Sequence, residues 1–220
     1  MEKSNSCILF LLVLLPSVLF SLASAADADP IQDFCVATHP YGGLTTNGYL
    51  CKPNAAVTSD DFFSSSLTAE LTTDNSYGVN ASFADVRFFP GLNTLGISMA
   101  RVVLAPGGVV PVHTHPRASE MVFVTEGRLL MGFVATDGRY FSKVLGAGEV
   151  FVFPRGLMHF QYNVGTKKAV EIVAYNSQLP GLLLAAPALF GSTPTIPDVV
   201  LAKSFLVDRK TVDKIKSKFG

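Results

Sequence analysis

From Leu95 to Tyr175 the chain is a succession of short apolar, β-branched runs, each ended by a turn signal: Gly107-Gly108, Glu126-Gly127, Asp137-Gly138, Gly146-Ala147-Gly148, Pro154-Arg155-Gly156 and Val164-Gly165. Turns at this spacing predict an all-β fold, an antiparallel sandwich or barrel. Two runs, Met121-Val122-Phe123-Val124 and Val150-Phe151-Val152-Phe153, are apolar at every position. Both faces of those strands should therefore be covered, one by the barrel interior and the other by something else, such as a partner subunit. There is no internal repeat and room for a single barrel of this kind.

With 49% hydrophobic and 15% charged residues in 220, the chain has the profile of one domain with a large core. Lys plus Arg and Asp plus Glu both number 17. No net field draws in nucleic acid, an anionic membrane or a charged substrate from a distance, so neither nucleic acid nor membrane is expected as a partner. Lys3, the apolar run Cys7 to Leu15 and the small-x-small triplet Ala23-Ser24-Ala25 predict a secretory signal over residues 1–25. Pro16 and Ser17 interrupt the run before it reaches the roughly 20 apolar residues of a membrane span.

Export puts the remaining cysteines, Cys35 and Cys51, in an oxidising compartment, where they should form one disulfide; free thiols or a metal pair are the alternatives. Closing a loop of this size stabilises the fold by roughly 3 kcal/mol in the chain-entropy account. Asn80-Ala81-Ser82 is the single sequon, so Asn80 is the expected glycosylation site. The expected divisions are a stapled amino-terminal segment over 26–60, the barrel over 61–180 and a helical arm over 181–220. In the arm, Asp198 to Lys203 and Asp208 to Phe219 have helical spacing. Asp208 can cap the second segment, whose stripe of Val212, Ile215 and Phe219 could close over its own barrel or over a neighbour.

Three of the four histidines fall in two Gly-framed strand segments, whereas His39 stands alone between Thr38 and Pro40. His113 and His115, one residue apart on a strand, project to the same face. Pro116 favours a bend that lets Glu120 return to the same interior from the start of the next strand. His159, at the head of a strand after Pro154-Arg155-Gly156, can supply a fourth ligand. Three imidazoles and one carboxylate leave an octahedral ion two open positions, a set that suits manganese or ferrous iron and also accepts zinc or copper.

The first segment reads glycine, five residues, His-x-His, four residues, Glu, six residues, glycine, from Gly107 to Gly127. The second reads glycine, five residues, Pro-x-Gly, two residues, His, three residues, Asn, from Gly148 to Asn163. Both resemble the paired motifs of the cupins without a gap or substitution. Asp33 to Ala37, the Cys51 partner, Phe89 to Gly96, Pro154 to Phe160 and Asn176-Ser177-Gln178 extend the resemblance over nearly the whole mature chain, to the plant germins and germin-like proteins. It implies a cupin jelly-roll barrel with manganese at His113, His115, Glu120 and His159. It also implies an apoplastic glycoprotein whose subunits dimerise through carboxy-terminal helices, with three dimers forming a hexamer.

Oxalate oxidases of this family place asparagines immediately before the Arg-Val of the preceding strand and three residues before the first ligand histidine. This chain has Ala100 and Val110 there. Each lost amide leaves substrate oxygens unpaired at about 1 to 3 kcal/mol, so a poor oxalate oxidase is expected. Superoxide dismutation, with superoxide as the small anionic substrate and hydrogen peroxide as product, needs no such clamp. The alternatives are a protein that binds a small, auxin-like acid without turnover, and a structural wall protein.

Overall fold

Side chains alternate across a strand, so each apolar run sorts its residues onto two faces. The computed structural model of the chain describes residues 32–38, 44–45 and 47–219; residues 1–25 and His39 lie outside the described residues. In chain order the strands are β1 (Leu44–Thr45), β2 (Gly48–Tyr49), β3 (Val79–Ala84), β4 (Ser98–Leu104), β5 (Val109–Thr114) and β6 (Glu120–Glu126). There follow β7 (Arg128–Val134), β8 (Tyr140–Gly146), β9 (Val150–Phe153), β10 (His159–Asn163), β11 (Ala169–Tyr175) and β12 (Leu183–Leu184). Three helices close the chain: α1 (Ala185–Phe190), α2 (Asp198–Phe205) and α3 (Arg209–Lys216).

Apart from the small β1–β2 ribbon, the strands form two five-stranded antiparallel sheets, ordered β12-β5-β10-β7-β8 and β3-β4-β11-β6-β9. This is an antiparallel β-sandwich with small carboxy-terminal helices, the all-β architecture that the turn spacing predicts. From β3 to β12 only β3–β4 and β7–β8 stay within one sheet; every other connection crosses, including the Pro116 bend between β5 and β6 and the turn between β9 and β10. Val102, Leu104, Val122, Val124, Leu129, Met131, Phe153 and Val173 fill the space between the sheets. At roughly 25 cal/mol per Å² of apolar surface removed from water, this core is the main stabilising element.

On β6 the residues Glu120, Val122 and Val124 point inward, while Met121 and Phe123 are exposed. On β9, Phe153 is buried, whereas Val150 and Val152 lie open. The second covering expected for these two runs is therefore not supplied by the described residues of the same chain, because the helices pack elsewhere. The stripe on α3 closes on its own chain: Val212 is fully buried against Phe190 and Leu201, with Ile215 and Phe219 alongside. Asp208 caps α3 by accepting from the Thr211 backbone N–H at 2.7 Å. Lys216 reaches back to Asp198 at 2.6 Å and ties α3 to α2.

Two motif residues act on the fold rather than on any ligand. Gly127 sits at φ 82°, and a Cβ there would fall 2.7 Å from the Ala169 Cβ, so only glycine fits. Asn163 is buried; its amide donates to the carbonyls of Leu104, Ala105 and Lys167 at 3.1, 2.9 and 2.8 Å. Its Oδ1 accepts from the Gly165 N–H at 2.9 Å, so one side chain holds the ends of β4, β10 and the β10–β11 turn together. The amino-terminal segment is held by the Cys35–Cys51 disulfide, with Cα atoms 4.9 Å apart. Buried Asn93 bonds both the N–H and the carbonyl of Tyr49, at 3.0 and 2.9 Å, and Gln178 donates to the Asn47 carbonyl at 2.8 Å.

Candidate metal centre

Both sheets deliver ligands to one point. His113 is the fifth residue of β5, and His115 follows just past the strand end. His159 opens β10 and pairs directly with His113 across the ladder. Glu120 opens β6 in the opposite sheet, after the Pro116 bend. One ligand atom from each of the four lies within 4.8 Å of the others, and all four residues are buried. The four residues singled out in the sequence are thus the four that the fold brings together.

Each ring is oriented from behind. The Nδ1 atoms of His113 and His159 face the carbonyls of Pro111 and Leu157, both at 2.7 Å, and His115 Nδ1 faces the Gly181 carbonyl. A carbonyl can only accept, so each Nδ1 carries a proton and each Nε2 is the atom left to face the interior. Glu120 Oε2 lies 2.8 Å from His115 Nε2 and 3.3 Å from His159 Nε2. Three imidazole nitrogens and a carboxylate oxygen brought to one buried point are a donor set that fits a cation in their midst.

Protonation favours the same conclusion. Burial, and then the nearby His159, lower the His113 imidazole from its ordinary 6.5 to about 4, so it is neutral at physiological pH. Burial alone would raise the Glu120 carboxyl, but the contacts of His115 and His159 outweigh it and hold the group at about 2. Gln161 Nε2 donates to Glu120 Oε1 at 2.7 Å. Phe153 stacks on His159 with centroids 4.4 Å apart, and Tyr175 packs edge-on against His115 at 4.8 Å.

His113, His115 and Glu120 line a cavity of about 270 Å³. Its walls are largely apolar, with Val79, Ala81, Phe83, Val102, Val110 and Val173 among them. Val110 lines this space and Ala100 is fully buried in the core, across the ladders from Phe83 and Val173, so neither position offers an amide. Asn80, half-buried on edge strand β3, lies at the same cavity and donates its amide to the Thr72 carbonyl at 2.8 Å. Gln161, Glu171 and Tyr175 also line the cavity and were not singled out in the sequence. The signals were present: Gln161 lies two residues beyond His159 and so shares its face, and Glu171 is the lone acid in the apolar run Ala169-Val170-Glu171-Ile172-Val173.

Fold and site together define a cupin, a two-sheet barrel with a buried His₃Glu group able to hold one metal ion. The Cupin family profile matches residues 65–213. The chain is 56% identical over 214 residues to rice germin-like protein 3-7, covering 95% of this chain and 92% of that protein. It is 50% identical over 193 residues to the pea rhicadhesin receptor, covering 88% of each. Among solved structures, recombinant oxalate oxidase in complex with glycolate superposes with TM-score 0.86 at 46% identity, covering 89% of this chain and 98% of that one. The chain therefore belongs to the germin-like proteins of the cupin superfamily. No helix among the described residues is long and apolar enough to cross a membrane.

Proposed function

We propose that the protein holds manganese at His113, His115, Glu120 and His159 and removes superoxide, generating hydrogen peroxide outside the plant cell. The observation that carries this reading is the convergence of three imidazole nitrogens and one carboxylate on a small, largely apolar cavity, with no asparagine at positions 100 and 110. Manganese would supply a one-electron couple, so that two superoxide ions and two protons give dioxygen and hydrogen peroxide. The chain's part is to present four preoriented donors, to fix Oε1 of Glu120 through Gln161, and to admit only small ligands through the cavity.

Oxalate oxidation is the activity that this reading excludes. Val110 gives an apolar wall where an amide would steady a dianion, and the loss of two such contacts costs roughly a hundredfold to ten-thousandfold in transition-state binding. A second reading, retention of a small acid without turnover, draws on the solved relative whose complex contains glycolate. The same proposal has residues 1–25 removed on export to the apoplast and Asn80 glycosylated. It also has subunits assembling as a hexamer of three dimers through the exposed apolar faces of β6, β9 and the arm.

Metal analysis of the purified secreted protein, with superoxide and oxalate assays on the same sample and on a His113→Ala variant, tests the proposal. Manganese near one per subunit, with superoxide removal that disappears in the variant, is expected. Manganese without either activity would move the assignment to the binding reading.

A further inference from the structure

Glu171 is a buried acid in the barrel that the metal site does not use. It lies on β11, two residues from Val173 and four from Tyr175, so its side chain shares their inward face and lines the same cavity. It is fully buried, and neither carboxyl oxygen has a hydrogen-bond partner among the described residues. From the opposite sheet, Gln161 Oε1 is also buried and unpartnered. Its orientation is dictated, because Nε2 must be the atom that donates to the carboxylate of Glu120.

An unpaired carboxylate in an apolar cavity is too costly to persist, so the group stays an acid. Burial, and then the negative charge of Glu120, push its pKa well above the ordinary carboxyl range. His113 and His115 from the β5 side, His159 from β10, Glu120 from β6, Tyr77 just before β3 and Tyr175 on its own strand are the titratable groups around that interior, and no Lys or Arg lines it. A bound metal ion would be the positive charge facing Glu171, offset in part by Glu120. As a neutral acid, Glu171 offers one O–H to whatever occupies the space between it and the ligand cluster.

We propose that Glu171 is the specificity-determining group of this cavity, donating a hydrogen bond to the outer end of a small monoanion seated at the metal. A second negative end on the ligand finds no Lys or Arg in the cavity wall to pair with, so dianions are disfavoured. The inference deepens the proposed function and rests on its metal site, not on its dismutase chemistry.

The experiment uses manganese-loaded protein, with azide as the monoanion probe and oxalate as the dianion. Infrared difference spectra of the wild type should show the carbonyl stretch of a protonated carboxylic acid at neutral pH. That band should be absent in Glu171→Gln and should shift when azide binds. Azide affinity should stay within about threefold in Glu171→Gln, which keeps a donor, and fall about tenfold in Glu171→Leu, which has none. Oxalate should bind the wild type more weakly than azide. Absence of the protonated band, or equal azide affinity in wild type and Glu171→Leu, overturns the proposal. If Glu171→Leu fails to hold manganese, the azide-induced shift of the wild-type band decides alone, and no shift refutes the contact. Superoxide removal is not a readout, so an inactive protein with the expected azide pattern would refute the dismutase reading and leave this one standing.

Discussion

Gln161 donates from Nε2 to Oε1 of Glu120 at 2.7 Å, and this leaves Oε2 as the oxygen turned toward His115 and His159. The bond divides the carboxylate into a held oxygen and a ligand oxygen. Partners that orient a metal ligand are typically worth ten- to a hundredfold in metal affinity. Gln161→Leu is expected to weaken manganese binding by that factor with the fold intact. Competition with a chelator of known affinity measures it, and an unchanged dissociation constant would show that Glu120 needs no such support.

Asn163 belongs to the second histidine motif but makes no contact with the ligands; its four hydrogen bonds all go to backbone. Asn163→Ala removes these four bonds, of which the one to Leu104 is buried and those to Ala105 and Lys167 are partly open to water, at about 1 to 3 kcal/mol per group left unpaired before water fills in. A loss of roughly 2 to 4 kcal/mol in urea unfolding is expected, with one metal site per folded chain retained. A variant as stable as the wild type would remove Asn163 from the fold's supports.

Acid should destabilise the metal-free protein in a defined window. His113 is held at about 4 in the folded chain, against an ordinary value of 6.5. Between those values the unfolded chain takes up a proton that the folded chain refuses, so stability falls as pH drops from 6.5 to 4 and levels off below. The interval corresponds to roughly 3 kcal/mol. Glu120, held at about 2 against an ordinary 4.5, adds a further loss below pH 4.5, because its ionised form is the stabilised one. Urea titrations at several pH values check this, and a His113→Gln variant should show a flatter curve above pH 4. Equal slopes in the two proteins would contradict it.

The Cys35–Cys51 bridge closes a loop with a sequence separation of 16. Its removal in a Cys35→Ser, Cys51→Ser double variant should cost about 3 kcal/mol, mostly through the unfolded chain. Asn93 and Gln178 still hold the segment to the barrel, so the metal content should not change. Loss of metal in that variant would mean that the amino-terminal segment supports the site directly.

Much of this was legible from periodicity and turn chemistry. Alternating runs dictate strands, Gly127 and the other turn residues end them, and the spacing of His113, His115, Glu120 and His159 marks a ligand set, because those constraints act over a few neighbouring residues. Asp208 as a cap and the α3 stripe were equally local. The roles of Asn93 and Gln178 were not: both stand in segments whose family resemblance was plain, yet their partners lie 44 and 131 residues away.

The sequence by itself determined the class of fold, the identity of the four donors and the absence of asparagine at positions 100 and 110. Only the tertiary structure decided that Gln161 and Glu171 face the same cavity from opposite sheets, and that the α3 stripe closes on its own chain. The physical reason is the range of the interactions. Strand alternation says which residues share a face, but which faces meet across the barrel is set by packing between segments far apart in sequence, where burial then governs the charge each acid can hold.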